Sequence, residues 1–104
     1  MPLAEGDRPL RLHPAAAAET EAAYAWYMER SPPAAELFVA ALEQAFHRIS
    51  ESPERWPRLR GSVRRYVLRR FPFSVVYQVR PDIIVVVAVA HHRRRPGFWF
   101  SRQE

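Results

Sequence analysis

The stretch from Phe71 to Ala90 leaves the chain few choices. FPFSVVYQV (Phe71–Val79) and IIVVVAVA (Ile83–Ala90) are separated only by Arg80-Pro81-Asp82. Val, Ile, Tyr and Phe suit the pleated, half-buried surface of a sheet, and a short break with Pro and Asp makes a tight turn. The two runs therefore read as consecutive antiparallel strands, Phe73–Val79 and Ile83–Ala90. Val63–Arg70 (VRRYVLRR) reads as a strand before them, with Phe71-Pro72 as a turn or bulge. In the middle run Phe73, Val75, Tyr77 and Val79 share one face, opposite Ser74, Val76 and Gln78. The last run is apolar at every position, so both of its faces must be covered.

The remainder of the chain supplies the covers. Pro14–Arg30 is rich in helix formers, and Pro14 suits a first helical position because its missing N–H has no partner to lose. Ala18, Ala22 and Trp26 recur at helical spacing there, with Ala15 and Ala25 beside them, and predict the buried stripe. Ala34–Ser52 carries Phe38, Leu42, Ala45 and Ile49 on one face, flanked by Ala35 and Phe46. Ser31 can cap this second helix and Pro32 can start it. Ser52-Pro53 stops it, because the residue before Pro disfavours the helical region. The two helices form an αα-hairpin over one sheet face, and Phe98-Trp99-Phe100 can fold back over the other. Pro9–His13 is a candidate short strand, Met1–Asp7 a loose lead-in, and Pro53–Gly61 a basic, Pro-rich connection. The expectation is one α+β domain over residues 1–104, with a short N-terminal strand and a helical hairpin on an antiparallel sheet of three consecutive C-terminal strands.

Charge divides the chain. Residues 1–54 hold four arginines against nine acids, net −5, and residues 55–104 hold twelve arginines against Asp82 and Glu104, net +10. A basic half points to an acidic partner, either nucleic acid or an acidic protein segment; the plainer reading is a solvated face. Without cysteine there is neither disulfide nor thiolate chemistry, which fits the cytoplasm. No signal-peptide pattern and no apolar run near the ~20 residues of a membrane span is seen.

The candidate site is His91-His92-Arg93-Arg94-Arg95, where the last strand leaves the sheet. Adjacent strand histidines point to opposite sides, so they do not chelate one metal, and neither metal nor cofactor is expected. One of them can act as general acid or base, or it can be a strand-end histidine bonded to backbone. Arg93–Arg95 can contact phosphates or a partner's carboxylates. Trp99 beside them can stack on a target or pack under the sheet. Arg64, Arg65, Arg69 and Arg70 fall two to each face of the first strand, and such charges also protect an exposed edge. Gly-rich phosphate loops and G-x-S-x-G are absent, and the sheet half has no paired carboxylates, which leaves nucleotide-binding and two-carboxylate hydrolase mechanisms without support.

The order of elements, with several short segments, resembles the RelE/ParE superfamily of toxins from bacterial toxin–antitoxin pairs. The segments are His13-Pro14-Ala15-Ala16, Trp26-Tyr27-Met28-Glu29-Arg30-Ser31-Pro32 and Ser52-Pro53-Glu54-Arg55-Trp56-Pro57. Val63-Arg64-Arg65-Tyr66, Phe71–Tyr77 and Ala88–Trp99 follow. The resemblance covers nearly the whole chain. It implies a growth-inhibiting toxin of a type II, plasmid-stabilising pair, bound in a hetero-oligomer by a cognate antitoxin. An acidic antitoxin segment would suit the basic half. Its docking would use the apolar surface left by the hairpin and the open sheet edge, by strand addition or a helix in a groove.

Two activities occur in the superfamily. RelE-like members cleave mRNA in the ribosome with basic residues, often an Arg on the middle strand and a Tyr or His near the end. ParE-like members poison DNA gyrase. Aligned on Val76-Tyr77-Gln78-Val79, Ser74 stands where the ribonucleases commonly have that Arg, and Trp99 where they often have Tyr. The ending Ala90-His91-x-x-Arg94-x-Pro96-x-x-Trp99 also looks ParE-like. The resemblance thus points to a gyrase inhibitor acting by contact rather than by its own chemistry, with Arg93, Arg94, Arg95, Trp99 and Arg70 on the target. The alternatives are an endoribonuclease, in which His91, His92, Arg93 and Arg95 would be catalytic, and an inactive toxin-fold binding module.

Overall fold

The computed structural model describes residues 8–103, so the lead-in Met1–Asp7 lies outside the described residues. The elements run β1 (Leu10–Leu12), α1 (Pro14–Arg30), α2 (Pro32–Glu51), β2 (Arg58–Arg60), β3 (Val63–Val67), β4 (Phe73–Val79) and β5 (Ile84–His91), closing with a single 3-10 turn, Phe100–Arg102. The five strands form one sheet in the order β1-β5-β4-β3-β2. β5, β4, β3 and β2 are antiparallel neighbours, and β1 lies parallel to β5 with Leu10 opposite Ile84 and Leu12 opposite Val86. The sheet is α+β as expected, but it is mixed and wider than three strands. β2 was not legible, because Arg58-Leu59-Arg60 is exposed at all three positions and has no apolar alternation to announce it.

Ser31 makes the hairpin sharp. Its extended backbone (φ −161°, ψ 97°) ends α1, its N–H donating to Tyr27 O at 2.6 Å, while its hydroxyl accepts from Ala34 N–H at 3.3 Å to start α2. His13 caps α1 in the same way, its Nδ1 accepting from Ala15 N–H at 3.0 Å. The α2 stripe is buried as its spacing predicts. The α1 stripe is not. Ala16, Ala23 and Tyr27 face the sheet, while Ala18 and Ala22 are exposed and Trp26 is 52% exposed. In an alanine-rich helix almost any register offers an apolar line, so the pattern carried little information about which face packs.

Two apolar layers sandwich the sheet. The helix side holds Phe38, Leu42, Ile49, Phe73, Val75, Tyr77, Ile84 and Val86, closed at one end by Tyr27 and Phe71, whose rings lie 5.3 Å apart. The outer side holds Val63, Val76, Val85, Val87, Ala88 and Trp99, so the tail does fold back over it. β3 stops at Val67, and Arg69 and Arg70 belong to the β3–β4 turn. The four arginines therefore do not divide two to each face. Arg64 turns in and donates to Glu54 O at 2.9 Å and Trp56 O at 2.7 Å, which fixes the segment after α2.

β5 contains a bulge. Val76 faces Ala88 and Tyr77 faces Val86, leaving Val87 as the extra residue. An extra residue reverses the alternation of faces beyond it. Ile84 and Val86 point to the helices before the bulge, and Val89 does so after it.

Tyr77 is fully buried and donates to Pro53 O at 2.7 Å. Burial pushes its phenol well above its usual 10.0, only partly offset by Arg64. An unfolded phenol ionises near 10, so the stability present below that pH falls as pH rises toward the higher folded value. Tyr77→Phe should lower stability by about 1 kcal/mol at neutral pH. It should also flatten the loss of melting temperature above about pH 10, measured by circular dichroism across alkaline buffers.

Candidate target-binding surface

The exit from β5 is a compact turn. Arg94 N–H donates to His91 O at 2.9 Å, Arg93 N–H to His91 Nδ1 at 3.0 Å, and Phe98 N–H to Arg95 O at 3.3 Å. Gly97 then reverses the chain at φ +80°, where a Cβ would also stand 2.9 Å from the Phe100 ring. The two histidines face opposite sides, as adjacent residues must, and the bulge decides which takes which. His91 meets the Phe73 ring edge-on at 5.0 Å on the helix side. His92 is tied to the outer side, with Nε2 3.0 Å from Ser74 Oγ and its N–H donating to Pro72 O at 2.8 Å.

Ser74–His92 has the separation of a nucleophile and its base, but the Ser74 hydroxyl is on a residue only 3% exposed. Both residues border a groove on the outer face, and their contact ties the exit of β5 to β4. His91 likewise bonds its neighbour's backbone. Among the described residues no group of three His, Asp or Glu side chains comes together to hold a metal, and no helix is long and apolar enough to cross a membrane.

The arginines divide around this turn. Arg93 borders a cleft of about 450 Å³ between α1 and the sheet end, beside Trp26, Tyr27 and Phe73. Arg95 borders a groove of about 530 Å³ on the outer face, beside Arg60, Arg65 and Val67. Arg94 borders both; it stacks on Phe98 at 3.9 Å and stands 3.8 Å from Glu19. The guanidinium groups of Arg93 and Arg95 have no partner among the described residues. Arg70 is exposed at the same end of the sheet, in the β3–β4 turn, and lines neither hollow. Trp99 is 5% exposed and packs on Val76 and Val87, so it supports the groove from below.

Glu19 and Arg102 were not singled out by the sequence, yet they hold the site together. β1 ends at Leu12, leaving the outer half of that β5 edge without a strand. Glu19 Oε1 accepts there from Val89 N–H at 3.0 Å, and Arg102 donates to Val87 O at 3.0 Å and to Glu19 Oε1 at 3.0 Å. One ion pair thus completes the strand edge and pins the tail. The available signal was the position of Glu19 on the helix, three residues after Ala16 and four before Ala23, at the border of the buried stripe.

A helical hairpin over one face of a five-stranded sheet, with a basic exit from the last strand, is the architecture of the RelE/ParE toxins. Residues 10–96 match the model of the ParE toxin of the type II toxin–antitoxin system parDE, and the chain belongs to that family. Its fold is similar to that of a solved chain described as the chromosomal ParDE TA system from P. aeruginosa, with a TM-score of 0.71 at 22% identity over 83% of this chain and 97% of that one. No curated protein sequence matches it significantly. The family match ends at Pro96, so the tail that covers the outer face lies beyond it.

Glu19→Ala and Arg102→Ala should each destabilise by about 1–3 kcal/mol, since the first leaves Val89 N–H and the second Val87 O without its side-chain partner and each breaks the half-buried ion pair. The double substitution should cost less than the two together by about 1 kcal/mol or more, read from urea midpoints. Strict additivity would mean that no clamp exists.

Proposed function

We propose that this type II toxin inhibits DNA gyrase by protein–protein contact and that a cognate antitoxin holds it inactive in a hetero-oligomer. The carrying observation is the turn His91–Gly97. It displays Arg93 and Arg95, whose guanidinium groups have no partner among the described residues, to two sides of one turn, while both histidines are engaged in structural bonds. Charged donors held in place on such a support suit recognition of an acidic surface. Proton transfer has less support, since Ser74 occupies the position of a basic catalytic residue and is buried. A gyrase target places the site of action in the cytoplasm.

The antitoxin finds two features to hold. Trp26, Tyr24 and Met28 expose apolar surface along α1, and β2 leaves a free edge flanked by Arg58 and Arg60. An acidic amphipathic segment satisfies both, by burying rings and by pairing with the edge. Covering this surface should raise the solubility and melting temperature of the toxin.

Purified toxin added to gyrase, ATP and plasmid should accumulate protein-linked cleaved DNA. Arg93→Ala with Arg95→Ala should reduce that yield by about tenfold or more without lowering the melting temperature. Absence of cleaved DNA together with a fast arrest of protein synthesis in cells would transfer the reading to mRNA cleavage. No growth defect at all would leave an inactive binding module.

A further inference from the structure

We infer that the outer-face groove is a binding site for a single strand of DNA, gripped by its phosphate backbone. The inference rests on the gyrase reading, because a cleaved gyrase complex presents such strands. Arg60, Arg65, Arg94 and Arg95 come to the groove from β2, β3 and the β5 exit, and among the described residues no carboxylate lines it. Arg65 and Arg95 have no partner among the described residues. Arg94 and Arg60 lie over the rings of Phe98 and Phe100 at 3.9 and 4.6 Å. Arg60, held over Phe100, keeps its N–H groups available and loses little freedom on bonding a phosphate, while Arg94 over Phe98 also stands 3.8 Å from Glu19. Phe100 is itself 44% exposed, beside Leu59 and Val67, which gives bases an apolar surface to rest on. A basic track with aromatic platforms is how single strands are held without sequence preference.

The location favours a nucleic-acid strand over an acidic peptide. The groove lies on the face of β3, β4 and β5, whose backbone groups are already paired within the sheet. A peptide that adds to a sheet gains its affinity from unpaired strand edges, which this groove has only at its β2 rim and not along its floor. Side-chain charge and stacking are what it offers.

The test is fluorescence anisotropy of the full chain with labelled oligothymidylate at low salt. Saturable binding that weakens as salt rises is expected. Arg65→Ser with Arg95→Ser should weaken it about tenfold and flatten the salt slope by about one to two. Arg48→Ser, on exposed α2 away from the groove, should leave it unchanged. Both arginines are exposed, so the double variant should keep the wild-type melting temperature. No binding, binding indifferent to the double substitution, a tenfold preference for the RNA of the same sequence, or binding of an acidic peptide alone would each overturn the inference. Gyrase poisoning by a chain that does not bind the oligonucleotide would overturn the groove and leave the gyrase reading intact. Groove-dependent binding without any cleaved gyrase complex would support the groove and overturn that reading.

Discussion

Strand β5 has to be covered on two faces and paired along two edges, and the other elements are arranged to meet that need. Val85, Val86, Val87 and Ala88 are all buried, which takes the hairpin on one side and the tail on the other. Pairing is harder to complete. β4 runs the length of one edge, but β1 supplies only Leu10–Leu12 on the other. Backbone groups left unpaired there would cost about 1–3 kcal/mol each. Glu19 and Arg102 take the place of the missing strand, and their mutual charge makes the substitution tolerable in a poorly hydrated setting.

The geometry of the basic end follows from this. Arg102 can reach Val87 only if the tail returns across the outer face, and Gly97 permits that return. The return seats Trp99 on the sheet, stacks Phe98 under Arg94 and brings Phe100 beneath Arg60. A structural demand at the middle of β5 thereby lines a groove with arginines. The same Glu19 stands near Arg94, so strand closure and the basic end of the sheet share one carboxylate.

Much of this was legible along the chain. The apolar runs ending at Val79 and Ala90, the tight turn between them, and the Phe38-Leu42-Ala45-Ile49 face of α2 are local periodicities that burial simply confirms. The position of the basic cluster at a strand exit was equally plain. The α1 stripe was misread because alanine marks no face clearly. β2 gave no sign because an exposed edge needs no apolar side. Arg69 and Arg70 were assigned to a strand that ends earlier, at Val67.

By itself the sequence determined the two helices, the succession of three C-terminal strands, the α+β class and the charge asymmetry, because these depend on residue type and spacing over short distances. Three things were decided only by the tertiary structure. The bulge at Val87 chose which histidine faces the helices and which the groove, a choice invisible in a run apolar at every position. The pairing of Glu19 with Arg102 joined residues far apart in the chain. Burial made Trp99 a support beneath the outer groove while leaving Arg93 and Arg95 in solvent. Each depends on which groups remain unpaired or uncovered once the sheet has formed, and that is a property of the assembled layers rather than of any one segment.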